Sequence, residues 1–382
     1  NQLNCDTDKS VFIGELSLSG EVRKITGALP MVIKAKEAGY KIAVLEPTMD
    51  SPCGQVADIR IVAAYDDEAA LEELAEVSDV ITYEFENIDY EGLKRLTQMA
   101  YVPQGAELVR ITQNRVTEKA MIVEAGCPVA PYIVADTYEQ LEAHIQEIGF
   151  PCIVKTARGG YDGKGQQLLK SAEDLSLAKG LFEHSQCIAE GFVPFTKEIS
   201  VIVQRNGHGE TYCLPVGENI HVNHILHETI VPARIEANAA ALAEEAAMRI
   251  ADYLQLVGTL AVEMFVLEDG SIVINECAPR PHNSGHYSIE ACNISQFTQH
   301  IRAVCGWPLR KPQLWAPSIM VNVLGQHVVS LTNSISKYPD WSVHLYGKSE
   351  AKVNRKMGHV TIMTDDLNTI LKQIEDSGIW PE

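Results

Sequence analysis

Basic residues are scarce in this sequence. Lys and Arg together number 31 against 51 Asp and Glu, a formal net charge of −20. An acidic surplus of that size repels phosphate backbones and anionic lipid, which excludes broad nucleic-acid or membrane-surface binding. It still permits one small anion held by a few local bases. Long apolar runs are also missing: none reaches the about 18 residues needed to span a bilayer. The opening stretch, Asn1 to Ser10, is polar, carries Asp6 and Asp8, and is unlike a secretory signal. No two of the nine cysteines form a CxxC pair, so neither a zinc ribbon nor a thioredoxin motif is supported. Cysteines scattered singly from Cys5 to Cys305 point to reduced thiols and a cytoplasmic address. Internal repeats, low-complexity tracts and heptads are absent as well. What remains is 382 residues, 46% hydrophobic and 21% charged, enough for two or three globular domains with sizeable cores.

Along the first hundred residues, helix and strand alternate. Met31 to Gly39 is helical with a glycine stop, and Lys41 to Pro47 is a strand. Ile59 to Tyr65 and Asp79 to Phe85 are further strands, separated by an acid-opened helix, Asp66 to Ser78. Such spacing implies βαβ units and a parallel sheet. Pro103 and Gly105 mark a boundary. Helices follow at Thr112 to Ala125 and near Tyr138 to Ile148, and from Phe150 the texture becomes rich in strands. Asn206-Gly207 and Asp269-Gly270 are turn signals of hairpins, and an Ala-rich helix, Asn238 to Leu254, lies between them. The last stretch holds short strands and a final helix near Asp366 to Asp376. The expected class is α/β followed by α+β, divided at 1–104, 105–305 and 306–382.

Three constellations could carry chemistry. Lys155 to Gln166, KTARGGYDGKGQ, follows a strand and sets four glycines between Gly159 and Gly165. Glycines let backbone N–H groups approach phosphate oxygens, and Lys164 adds charge. No Walker A pattern is present, so a β-hairpin folded over phosphates fits better; a plain glycine-rich turn is the alternative. Second, Glu263 and Glu276 lie on neighbouring strands around the Asp269-Gly270 turn. Facing carboxylates cost free energy unless a cation sits between them, and oxygen ligands beside a phosphate favour Mg²⁺, with Asn275 as a neutral ligand. If one acid points to solvent, the pair carries nothing. Third, Pro279 to Cys292 concentrates Arg280, His282, Asn283, Ser284 and His286, a donor density suited to an anionic substrate. Both histidines could equally be structural. Lys348 and Arg355 stand out in the basic run Tyr346 to His359, where some of the bases read as a solvated face.

Together these segments resemble the ATP-grasp superfamily. Within it they are similar to the ATPase subunits of phosphoribosylaminoimidazole carboxylase, also called 5-(carboxyamino)imidazole ribonucleotide synthases. The resemblance runs from about Gly39 to the end and rests on TYEFENI (Thr82 to Ile88), GGYDGKGQ, ENIHVNHILHETIVPARI (Glu218 to Ile235), NECAPRPHNSGHYSIEAC and the YGK…RKMGH ending. It implies an ATP-grasp fold with an N-terminal Rossmann-like, pre-ATP-grasp domain and a small β-rich C-terminal domain. The implied reaction joins ATP, bicarbonate and 5-aminoimidazole ribonucleotide through carboxyphosphate, with Mg²⁺, as a step of purine synthesis. By motif position Arg115, Lys155 and the loop Gly160, Tyr161, Asp162, Gly163, Lys164 and Gly165 would meet the phosphates. Glu190 with Gly191, Phe192 and Val193 would read adenine, Glu198 the ribose, and His221 would lie at the nucleotide. Asn275, Glu263 and Glu276 would serve the metal. Tyr161, Asp162, Lys164, Arg280, Asn283, Ser284, Lys348 and Arg355 would form the substrate pocket, the last two on its 5′-phosphate. Family members are commonly homodimers.

One segment departs from that pattern. The family opens with a glycine-rich substrate loop that should occupy about Arg23 to Met31, where this chain reads RKITGALPM. GELSLSGEVRKITGALPMVIKAKEAG instead resembles part of the Lon-type protease domain of bacterial AAA+ relatives, although the chain has no second half of such a domain and no placeable Ser–Lys pair. The alternatives to the synthase are another ATP-grasp carboxylate–amine ligase and a non-catalytic Mg·ATP-binding relative. TYEFENI and the RKMGH ending argue against the first.

Overall fold

A computed structural model describes residues 11–13, 28–49, 51–159, 165–183, 185–348 and 350–381. The N-terminal sheet is parallel, built from β1 (Val11–Ile13), β2 (Ala43–Leu45), β3 (Ile59–Ile61) and β4 (Ile81–Tyr83) in the order β3-β2-β1-β4. The helix Glu68–Glu76 falls inside the expected Asp66 to Ser78, and a further helix runs over Tyr90–Met99. Asp67 and Asp89 cap them by accepting from the backbone N–H groups of Ala70 and Gly92. Each then buries leucines at helical spacing, Leu71 and Leu74 in the first, Leu93 and Leu96 in the second, against the sheet. Full burial of one such leucine contributes roughly 1.5–3 kcal/mol. Parallel strands aligned in this way bring their carboxyl ends together, where ligands of open α/β sheets are bound. Glu46 follows β2, and Glu84 and Glu86 follow β4, at that edge.

A second, antiparallel sheet contains β5 (Tyr132–Ala135), β6 (Cys152–Thr156), β7 (Gln166–Leu169) and β8 (Cys187–Gly191) in the order β5-β8-β6-β7. The third sheet is the largest. It comprises β9 (Lys197–Arg205), β10 (Thr211–Cys213), β11 (Gly217–Val222), β12 (Ile225–Val231), β13 (Gly258–Val266), β14 (Ile272–Ala278), β15 (Ser318–Leu324), β16 (Ser342–Leu345) and β17 (Lys356–Met363). Its order is β14-β13-β9-β11-β12-β15-β17-β16, with β10 paired to β9. One sheet therefore runs across residue 306, joined by β12 and β15.

The period-2 alternation of β9 and β13 separates core from site. Ile199, Val201 and Val203 pair with Met264, Val262 and Leu260, and this face packs under the helix Ala237–Tyr253 through Ala239, Ala243, Ala246, Ala247 and Ile250. The opposite face carries Glu198, Ser200 and Glu263 on those strands, with Asn219 beside Glu198 on β11. On β14 a bulge adjusts this alternation. Val266 pairs with Ile272 and Met264 with Ile274, so strict register would set Glu263 against Asn275. The register shifts there and Glu263 pairs with Glu276. Ile274 thus stays in the core while Glu276, two residues on, joins the polar face.

Candidate active site

The helix Arg115–Glu124, capped by Asn114, presents Arg115, Glu118, Lys119 and Ile122 at i, i+3, i+4 and i+7, hence on one side. Ile122 anchors that side in the core while its charged members meet the two antiparallel sheets. Arg115 Nη1 donates to Glu276 Oε2 at 3.1 Å. Lys119 Nζ lies 3.0 Å from Glu190 Oε1, and Lys155 Nζ, on β6, lies 2.5 Å from Glu190 Oε2. Burial works to raise the Glu190 carboxyl, but Lys155 and Lys119 outweigh it and hold it at about 2. Both oxygens of the Glu190 side chain meet a lysine, which fixes the positions of Lys119 and Lys155. Gly191 and Phe192 donate their N–H groups to the carbonyls of Pro131 and Pro151, which fixes the strand end leading to Val193.

The glycine-rich stretch is the connection of an antiparallel hairpin, with Lys155 opposite Gln166. Gly159 and Gly165 bracket it with φ of +78° and +69°, a region that favours glycine. Gly160, Tyr161, Asp162, Gly163 and Lys164, expected to meet the nucleotide, lie outside the described residues. Arg23 to Gly27 of the expected substrate loop lie outside them too, and the helix Ala28–Glu37 begins within its final part.

On the polar face, His221 Nδ1 and Glu198 Oε2 are 3.0 Å apart, in ion-pair rather than hydrogen-bond alignment. Burial would lower the His221 pKa, but Glu198 together with Glu263 and Glu276 outweighs it and the balance is upward. Glu263 is pushed well up by burial and by the neighbouring Glu276 charge, and His282 Nε2 stands 3.3 Å from its Oε1. Behind the pair, Glu118 accepts the Cys277 N–H at 2.6 Å and is raised to about 8 by burial and Glu276. Asn275, the bulge residue, accepts from Lys119 through its backbone oxygen at 3.0 Å. Two facing carboxylates, whose mutual repulsion Arg115 relieves only in part and on the Glu276 side, offer oxygen ligands that suit a hard divalent cation.

A second group of charges joins this face to the N-terminal sheet. Arg280 grips Glu86 with Nε and Nη2 in a fork, the latter at 3.0 Å from Oε1. Glu84, buried beside it, is raised to about 8 by burial, which outweighs Arg280. Lys348 is buried and donates to the Lys356 carbonyl at 2.7 Å, and Arg355 Nη1 donates to the Glu350 carbonyl at 2.6 Å. Asn283 opens a 3₁₀ turn within the same loop. Ser284, expected in the substrate pocket, is 1% exposed and its hydroxyl is held by Ser200 and His282. It shapes the loop from behind. The structure thus gathers Arg115, Lys155, Glu190, Glu198, His221, Glu263 and Glu276 along adjoining elements, with Arg280 bridging to Glu86. Sequence reasoning missed Lys119, Glu118 and Glu86. Lys119 was detectable four residues after Arg115, and Glu86 lies inside TYEFENI; Glu118 needed the tertiary contact with β14.

Residues 120–297 match the ATP-grasp domain family, residues 27–113 the ribonucleotide synthetase preATP-grasp domain, and residues 318–373 the phosphoribosylaminoimidazole carboxylase C-terminal domain. Fold and site together define an ATP-grasp ligase with its preATP-grasp partner domain. An N5-carboxyaminoimidazole ribonucleotide synthase of Bacillus subtilis is 52% identical over 349 residues, 91% of this chain and 90% of its own. That of Staphylococcus epidermidis is 46% identical over 339 residues, covering 88% and 90%. A crystal structure of an ADP complex of such a synthetase superposes with TM-score 0.92 at 52% identity, covering 98% of this chain and 97% of that one. The Aspergillus clavatus synthase with ADP and 5-aminoimidazole ribonucleotide gives TM-score 0.87 at 27% identity, covering 97% and 98%. The chain belongs to the N5-carboxyaminoimidazole ribonucleotide synthase family. Residues 1–48 also match a family described as subunit ChlI of Mg-chelatase, over the segment that departs from the synthase pattern.

Proposed function

We propose that this protein carboxylates 5-aminoimidazole ribonucleotide with bicarbonate at the expense of ATP, giving N5-carboxyaminoimidazole ribonucleotide, ADP and phosphate in purine biosynthesis. The observation that carries it is the facing Glu263–Glu276 pair, touched by Arg115 and adjoining the Lys119–Glu190–Lys155 clamp. Phosphoryl transfer needs positioning and charge neutralisation more than covalent chemistry, and this arrangement provides both. Arg115, Lys155 and Lys119 hold the phosphates, and Glu198 and His221 hold the ribose. Glu263 and Glu276, with Asn275, would hold Mg²⁺, which supplies charge neutralisation for the transferring phosphoryl group.

Bicarbonate oxygen attacks the γ-phosphorus and the bond to the β-phosphate oxygen breaks, which yields carboxyphosphate and ADP. The exocyclic amine of the nucleotide then takes the carboxyl group, releasing phosphate and one proton. Carboxyphosphate hydrolyses readily, so the transfer requires that water be excluded from it. Arg280, oriented by Glu86, and Asn283 face the nucleotide, with Lys348 and Arg355 on its 5′-phosphate. We further infer a cytoplasmic homodimer divided at 1–104, 105–305 and 306–382.

The deciding measurement is ADP release in bicarbonate buffer with and without 5-aminoimidazole ribonucleotide. Strong stimulation is expected. Mg·ATP binding without stimulation would replace this reading with a non-catalytic relative.

A further inference from the structure

We propose that Glu290, His344 and His359 form a second metal site, selective for a borderline divalent cation such as Zn²⁺ or Co²⁺ and separate from the Glu263–Glu276 pair. His344 on β16 and His359 on β17 are directly paired, so their side chains share one face of the sheet. Their rings stack with centroids 4.5 Å apart at 16°. The short helix Ser288–Ala291 delivers Glu290 to the same spot, with Oε1 2.6 Å from His344 Nε2. One ligand atom from each of the three residues lies within 4.8 Å of the other two.

The unpaired atoms point the same way. His359 is fully buried, and its Nδ1 meets the Tyr346 hydroxyl at 2.6 Å. Its Nε2 is buried with no hydrogen-bond partner among the described residues, and so is Glu290 Oε2. A buried polar atom left unsatisfied costs about 1–3 kcal/mol, and a cation touching both relieves the two costs at once.

His286, whose ring centroid is 4.8 Å from that of His359, is not a ligand. Gln296 accepts from the His282 N–H through Oε1, which leaves its Nε2 to donate to the His282 carbonyl and to His286 Nδ1. His286 therefore carries its proton on Nε2 and walls the site. Two imidazoles and one carboxylate, with a position left for water, suit Zn²⁺ or Co²⁺, whereas the all-oxygen pair suits Mg²⁺. Tyr346 links the two regions, since Lys348 Nζ stands 5.8 Å from its ring. A cation here would tie the ends of β16 and β17 to the helix that follows the Arg280 loop. None of this rests on the proposed reaction.

The test uses the full chain, freed of metal by a chelator and held in saturating Mg²⁺ to occupy oxygen ligands. Co²⁺ is then added while visible absorption and calorimetric stoichiometry are recorded. One equivalent with tetrahedral d–d bands is expected. His344→Ala should weaken it by at least about tenfold, and Glu276→Gln should leave it unchanged. Glu290→Gln repeats the test should His344→Ala fold poorly. No uptake by the wild type, affinity unchanged by these ligand variants, loss in Glu276→Gln, or thiolate charge-transfer bands would each overturn the site.

Discussion

Glu263 and Glu276 face each other across β13 and β14 only because the register shifts by one residue at Asn275. Without that shift the residue opposite Glu263 would be an amide, and Glu276 would share the core face with Ile274. The bulge is thus what turns a hydrophobic hairpin into a carboxylate pair.

Replacing Glu276 by Gln removes one charge and the partner of Arg115 while keeping the shape. ATP hydrolysis stimulated by the aminoimidazole nucleotide should fall by at least about 100-fold. Circular dichroism should show an unchanged fold. Activity within a few-fold of wild type would refute the assignment of this residue to the metal.

Lys119 is almost fully buried, and its loss leaves Glu190 with Lys155 alone. Lys119→Met should destabilise the protein by about 3 kcal/mol in urea denaturation, because a buried carboxylate loses half its compensation. The KM for ATP should rise in the same variant. A stability within experimental error of wild type would show that Glu190 needs only one lysine.

The two classes of buried carboxyl have opposite pH signatures. Glu190 is held at about 2 against an ordinary 4.5, so the unfolded chain binds more protons between those values. Its contribution, about 3 kcal/mol at most, is present above pH 4.5 and is lost as pH falls towards 2. Glu118 is raised to about 8, so its contribution is full below 4.5 and declines as pH rises to 8. Glu118→Gln should flatten that decline by up to about 1.4 kcal/mol per pH unit, as read from unfolding midpoints between pH 5 and 8. A slope identical to wild type would show that Glu118 is ionised in the folded protein.

Arg280 meets Glu86 as a fork, a geometry that Lys cannot reproduce. Arg280→Lys should raise the KM for the aminoimidazole nucleotide roughly tenfold and leave that for ATP nearly unchanged. Equal effects on both would place Arg280 outside the nucleotide-monophosphate pocket.

Local physics made much of the fold legible. The Asp-capped helices Glu68–Glu76 and Tyr90–Met99 differ in that a run of acids marks only the first; the second, beside TYEFENI, carries no such run. The hairpins at Asn206-Gly207 and Asp269-Gly270 announced themselves through turn residues. The hairpin of β11 and β12 did not, because its turn uses Asn223 and His224 at φ of 52° and 64°, where glycine would be the usual signal. The protein contacts of Ser284 and Glu190 were not legible in their motifs: the Ser284 hydroxyl meets Ser200, and the Glu190 carboxylate meets two lysines.

By itself the sequence determined most of the elements, the family and the residue types gathered for phosphate and oxygen-ligand chemistry, since periodicity, turn chemistry and motif spacing are local properties. Tertiary structure alone decided which charges meet. Arg115 finds Glu276 161 residues away, and Arg280 finds Glu86 across 194. The partner of a buried charge depends on register and burial across separate sheets, and no local pattern encodes that.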